Sequence, residues 1–192
     1  MTQAREVKAL GADIIVAQGT EAGGHGGDLP LYQLLSDVLA IAEDTPVLAA
    51  GGLVEAHDVS RVMALGAHGA LLGTRFYASH ESEAPVAQKQ RIVAACEGET
   101  VRTRVFDYAR GYDWPAPYTG RALKNAFHEK WCDHQDMHHS ITAAEKAAYA
   151  EAAAQNNFSV AGLFVSEAVG RITEILSVAQ VMSALSAVCK TN

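Results

Sequence analysis

Three short apolar runs, each closing on a glycine-containing turn, constrain the fold of this chain more than any other feature: residues 13–17 (DIIVA), 46–50 (PVLAA) and 69–72 (GALL). Runs this short and this apolar predict strands buried on both faces, as in a parallel sheet. Between them Leu31, Leu34, Leu35 and Val38 recur at helical spacing, and so do Val59, Val62 and Met63 ahead of Gly66, a helix stop. Strand-to-strand intervals of roughly thirty and then roughly twenty residues suit right-handed βαβ crossovers. The pattern predicts an α/β unit over residues 1–76, with the three strands as parallel neighbours.

After Phe76 the pattern changes. A helix is predicted over residues 83–96, stopped by Gly98, and a strand over 100–106 (TVRTRVF). Trp114, Pro115 and Pro117 then break regular structure. Leu123, Ala126, Phe127, Lys130 and Trp131 place an apolar stripe on a helix, and Thr142 with Glu145 forms a capping box before an alanine-rich run. Ser177 and Gln180 form a second capping box, ahead of a helix with Val178, Val181, Met182, Leu185 and Val188 on one face. Residues 77–157 therefore read as a mainly helical appended domain, and residues 158–192 as a segment returning to the sheet.

Composition narrows the function. The 192 residues are 49% hydrophobic and 19% charged, with no run of about 18 apolar residues, which predicts a soluble globular protein without a membrane partner. The opening MTQAREVKAL resembles neither a signal nor a transit peptide, so a cytoplasmic location is expected. A formal charge of −7 argues against a nucleic-acid partner, because phosphate backbones need a concentrated positive surface. A small-molecule ligand is expected instead. Cys96, Cys132 and Cys189 are odd in number and widely spaced, which indicates neither a disulfide framework nor a cysteine zinc site. In CDHQDMHHS, residues Cys132, His134, His138 and His139 include a pair at i, i+4 spacing, but without a Glu between the histidines or a second ligand cluster the stretch reads as a polar helix end, and no metal is expected.

The chemistry is expected in the loops: GTEAGGHGG (residues 19–27), GGL (51–53) and GTRF (73–76). In a parallel α/β barrel the active site lies at the C-terminal ends of the strands, and a cofactor phosphate often sits between the last two βα loops. Gly51, Gly52, Gly73 and Thr74 would occupy those loops. Glycine admits backbone N–H groups close to a phosphate, the helix N-terminus favours negative charge, and the Thr74 hydroxyl can donate. The competing reading is that such turns need glycine for positive φ whatever they bind. His25, between Gly24 and Gly26, has no apolar periodicity around it and no visible partner to orient its ring. It is either a proton-transfer residue facing a ligand or a solvated turn histidine. Gln18 and Glu21 flank the loop as candidate ligand contacts or loop-closing hydrogen bonders.

The stretches ADIIVAQGTEAGGHGG, PVLAAGGL and GALLGTRFYAS resemble the nitronate monooxygenase (2-nitropropane dioxygenase-like) family of flavoproteins. The resemblance continues through TVRTRVFDYARG, WPAPYTGRALKNAF and AGLFVSEAVGRI, although Ser166 stands where a glycine is common. It implies a partial TIM (β/α)8 barrel made of C-terminal strands, with roughly the first half of the barrel absent, and FMN as cofactor. It implies His25 as the catalytic base, Gly51, Gly52, Gly73 and Thr74 at the FMN phosphate, and Gln18, Ala22 and Gly23 near the flavin. The implied reaction is oxidation of an alkyl nitronate or nitroalkane with O2 to a carbonyl compound and nitrite. Two rivals are a flavin-dependent enoyl-acyl carrier protein reductase and an inactive remnant or assembly module. Self-association through an open barrel edge is a further expectation.

Overall fold

A computed structural model describes residues 2–134 and 140–186. Its first part runs α1 (Thr2–Ala9), β1 (Ile15–Gln18), β2 (Gly24–Gly26), α2 (Leu31–Ala42), β3 (Val47–Ala50), α3 (Ala56–Ala64), β4 (Gly69–Leu71) and α4 (Thr74–Tyr77). There follow α5 (Val86–Val93), β5 (Thr100–Thr103), α6 (Val105–Ala109), β6 (Thr119–Leu123), α7 (Ala126–Trp131), α8 (Ala143–Ala154), a 3-10 turn (Glu167–Arg171) and α9 (Val178–Ser186). The fold is mixed α/β, built on two three-stranded sheets.

The first sheet is parallel, in the order β1-β3-β4, with Ile15 opposite Val47 and Leu48 opposite Gly69. All three predicted strands are present as neighbours. Ile15, Ala17, Val47 and Ala49 bury one face against Leu31, Leu35 and Val38 of α2 and Val62 of α3. The other face departs from the expectation of burial on both sides. Val16 is 43% exposed and Leu71 47%, because among the described residues helices cover only one side.

The second sheet is antiparallel, in the order β2-β6-β5, and joins the short GHG strand to two strands from the later part of the chain. Here periodicity misled in three places. The strand begun at Thr100 ends at Thr103, whose Oγ1 accepts from the Val105 N–H and turns the chain into α6. Leu123 closes β6 opposite Thr100 rather than opening a helix, and α7 starts only after Asn125, whose side chain accepts from the His128 N–H. The helix predicted over 83–96 is confined to α5, which begins after Pro85. Residues 77–157 thus hold two strands as well as helices. Both capping boxes form, at Thr142 with Glu145 and at Ser177 with Gln180. Val188 of the last apolar face lies outside the described residues.

The chain after α8 returns to the first sheet. Leu176 bridges in parallel to Ser79, and α9 packs on α3 and α4. The ion pair of Arg171 with Asp58 locks this return, its guanidinium contacting both carboxylate oxygens at 3.1 and 2.8 Å. Asp58 Oδ2 also accepts from the Val54 and Glu55 N–H groups. Burial alone would raise the Asp58 carboxyl, but Arg171 and the two N–H groups outweigh it and hold the group below its ordinary range.

Asp58→Asn is therefore expected to lower stability by about 1–3 kcal/mol at neutral pH, measured by urea unfolding. Because the folded carboxyl is the stronger acid, its contribution is complete above an unfolded pKa of about 3.9 and is lost as pH falls through the folded value. The gap between variant and parent should accordingly close below about pH 4.

Candidate active site

Because β1, β3 and β4 run in one direction, the loops that follow them leave from one edge of the sheet. They enclose a cavity of about 260 Å³. Gln18, Ala22 and Gly23 line it from the first loop, Gly51 and Gly52 from the second, and Gly73 and Thr74 from the third. The candidate cofactor contacts implied by the resemblance thus meet in one place, which Glu21 does not line. Phe164 and Ser166, from the returning segment, complete the wall, and no charged side chain lines it.

The glycines divide into two kinds. Gly51 (φ 119°) and Gly52 (φ 68°) have backbone conformations that disfavour a side chain, so turn geometry alone accounts for them. Gly73 has φ −98°, and a Cβ built there would meet nothing within 4 Å. Neither strain nor packing within the chain requires glycine at 73, whereas close approach of a ligand to the backbone would. Thr74 Oγ1 accepts from the Ser166 N–H at 2.8 Å, which leaves the threonine hydrogen to donate. The Ser166 hydroxyl is buried and has no hydrogen-bond partner among the described residues. Uncharged donors around an open-sided glycine cradle fit a phosphate group. At about 260 Å³ the cavity is smaller than the roughly 300–1,000 Å³ of most small-molecule sites, so it suits the phosphate end of a flavin nucleotide rather than the whole molecule.

His25 sits on β2, opposite Gly120 of β6, and not on a turn. Its side chain is 17% exposed. Its Nε2 lies 2.9 Å from Asp107 Oδ2, and Asp107 is fully buried, its other oxygen accepting from Arg110 at 2.7 Å. The Arg110-paired carboxylate is the acceptor, which assigns the proton to Nε2 and leaves Nδ1 as the basic atom. Trp114 stacks on the imidazole at 4.0 Å with 8° between planes, and Phe164 flanks it at 5.5 Å. Phe164 also lines the cavity, whereas His25 does not line it and lies on the other side of that ring contact.

The loop carrying His25 is held by its backbone oxygens. Gln18 Nε2 donates to the His25 carbonyl at 2.8 Å, and Arg102 donates to those of Thr20 (3.0 Å) and Gly26 (2.6 Å). Arg121 Nε donates to the Thr20 carbonyl at 2.8 Å. Burial, and then the neighbouring Arg121, depress the Arg102 guanidinium below its ordinary value. Glu21 is a loop closer, its carboxylate accepting from the Leu31 N–H at the start of α2. Sequence reasoning missed Asp107, Trp114, Arg102, Arg121 and Phe164. They lie far along the chain, and the β2–β6 pairing that gathers them has no local signature.

In the histidine-rich stretch Cys132 is exposed and His134 packs on Trp131, whereas His138 and His139 lie outside the described residues. Cys96 is free and exposed, and Cys189 lies outside the described residues. Among the described residues no three His, Cys, Asp or Glu side chains converge on a metal position, and no helix is long and apolar enough to cross a membrane.

The profile of the family described as nitronate monooxygenase matches residues 1–187. A probable nitronate monooxygenase of Bacillus subtilis is 31% identical over 91% of this chain and 51% of its own length. A nitroalkane oxidase from Streptomyces ansochromogenes superposes with TM-score 0.76 at 30% identity, over 97% of this chain and 54% of its own. FabK from Thermotoga maritima superposes with TM-score 0.77 at 28% identity, over 96% and 56%. The chain therefore spans about half the length of these relatives.

A Cβ at Gly120 would lie 2.5 Å from Phe164 Cε1 and 3.3 Å from His25 Nε2. Gly120→Ala is expected to displace the Phe164 ring, costing about 1–3 kcal/mol and changing the near-ultraviolet circular dichroism of the aromatic cluster. An unchanged spectrum and midpoint would show that the cluster is loosely packed.

Proposed function

The chain belongs to the nitronate monooxygenase family, and from that premise we propose that it carries the FMN-phosphate site and the catalytic base of an enzyme oxidising alkyl nitronates or nitroalkanes. The observation that carries this reading is the meeting of three glycine loops on one cavity, with a carboxylate-paired histidine packed beside Phe164 of its wall. In this reading residues 1–76 are C-terminal strands of a (β/α)8 barrel. Residues 77–157 supply Asp107 and Trp114, and residues 158–192 return to the barrel with Phe164 and Ser166.

Gly51, Gly52, Gly73 and Thr74 would hold the FMN phosphate, with Gln18, Ala22 and Gly23 nearer the flavin. When bound, FMN supplies the electron transfer that, with O2, turns a nitronate into a carbonyl compound and nitrite. The chain supplies the proton chemistry. His25 Nδ1 takes the proton from the carbon next to the nitro group, giving the nitronate and an imidazolium. Asp107 holds the ring in the required tautomer and stabilises that cation, as a buried carboxylate does for other catalytic histidines. Trp114 and Phe164 pack on the imidazole and hold its plane.

In protein reconstituted with FMN, His25→Asn should lower kcat/KM for neutral nitroalkanes about a hundredfold or more while sparing preformed nitronates, since only the neutral substrate loses a proton. Asp107→Asn should act in the same direction by about tenfold, through mispositioned His25. Equal activity of His25→Asn and parent on both substrates would remove His25 as the base. NADH oxidation with an enoyl thioester, in place of nitroalkane turnover, would assign the reductase reading.

A second expectation concerns assembly. Ile14, Val16 and Leu71 leave an apolar sheet face uncovered, and β1 has no outer strand partner among the described residues. Expressed alone, the chain should carry substoichiometric FMN and self-associate, as read by absorbance at the flavin band and light scattering. A yellow monomer with one tightly held FMN per chain would overturn this.

A further inference from the structure

The Ser166 hydroxyl is an anomaly in the chain's own hydrogen bonding. Serine before the first residue of a helix ordinarily caps it through its side chain, yet Ser166, which precedes the 3-10 turn, makes no such bond. The residue is 6% exposed, and its Oγ is buried without a partner among the described residues. A buried hydroxyl left unpaired costs folding free energy, so its retention points to a partner that the polypeptide does not supply.

Its position says what that partner is. Ser166 lines the same cavity as Gly51, Gly52, Gly73 and Thr74. Its N–H donates to Thr74 Oγ1 at 2.8 Å, which fixes the serine beside the threonine and leaves the threonine hydrogen to donate elsewhere. Since no lysine or arginine lines the cavity, an anion there must be satisfied by neutral donors. Thr74 and Ser166, joined through that backbone hydrogen bond, bring two hydroxyl-bearing side chains to the glycine-lined wall, which suits a phosphate monoester.

We propose that Ser166 is a phosphate ligand which, together with Thr74, binds one phosphate group and selects phosphorylated over unphosphorylated flavin. The proposal rests on reading this cavity as a phosphate site. A glycine at this position would offer only its backbone, so the chain gains a donor here.

The test is titration of FMN and of riboflavin, followed by quenching of flavin fluorescence, into the parent chain, Ser166→Ala and Ser166→Thr. Ser166→Ala is expected to weaken FMN about tenfold, leave riboflavin unchanged and leave the ligand-free thermal midpoint unchanged or higher, because an unpaired hydroxyl has been removed. Ser166→Thr, which keeps the hydroxyl, should recover FMN affinity. Unchanged FMN affinity in Ser166→Ala, or an equal loss for both flavins, would overturn the proposal alone. A lowered midpoint in the ligand-free alanine variant would also overturn it, by showing that the hydroxyl has a structural partner. A parent chain that binds neither flavin, or both equally, would instead overturn the phosphate-site reading and the proposal with it.

Discussion

The shared direction of β1, β3 and β4 is the constraint from which the site follows. Gln18 lies opposite Ala50, and Ala50 opposite Leu71, so three strands end at one level and three glycine loops begin there. The direction is fixed by burial: α2 and α3 each cross the same face, and both must pack Leu35, Val38 and Val62 onto Ile15, Val47 and Ala49. Reversing any one strand would carry its loop to the opposite edge and scatter the residues that line the cavity. The glycines can then answer to local demands, positive φ at 51 and 52 and open access at 73.

The proposed proton chemistry depends on a second, longer-range constraint. His25 gains its partner only because β2 pairs with β6, which β5 pairs in turn, and α6 follows β5 at once. Gly120 is the point where that pairing has no spare room: the His25 and Phe164 rings occupy the space that a Cβ there would need. Asp107 is affordable as a fully buried carboxylate because Arg110 and His25 share its two oxygens. Packing of the His25 ring and closure of the cavity therefore meet at Phe164, which touches both.

The parts legible in the sequence were those encoded locally. The strands around Ile15, Val47 and Ala70 announce themselves by unbroken apolar runs and glycine stops, and the two capping boxes by residue spacing. Gln18, Ala22, Gly23, Gly51, Gly52, Gly73 and Thr74 line one cavity because each ends or follows a legible strand. The GHG strand has no strand propensity of its own, since glycine disfavours extended pairing, and exists because β6 offers it a register. Leu123 fell by chance at helical spacing from Phe127 and Trp131, and only pairing with Thr100 makes it a strand residue. Asp107 was invisible for the same reason: its role is a contact across 82 positions, which no window of sequence contains.

Strand alternation ties the cavity to the uncovered sheet face. Ile14, Val16 and Gln18 point to one side of β1, and the register sets Leu48, Ala50 and Leu71 on that same side. Gln18, Ala50 and Leu71 also line the cavity. The cavity is thus the upper end of an apolar surface that helices leave bare, and whatever covers Val16 also adds a wall beside Gln18. Cover for the face and retention of the proposed flavin are linked quantities: a ligand that binds only the covered form shifts the chain toward it in proportion to its occupancy.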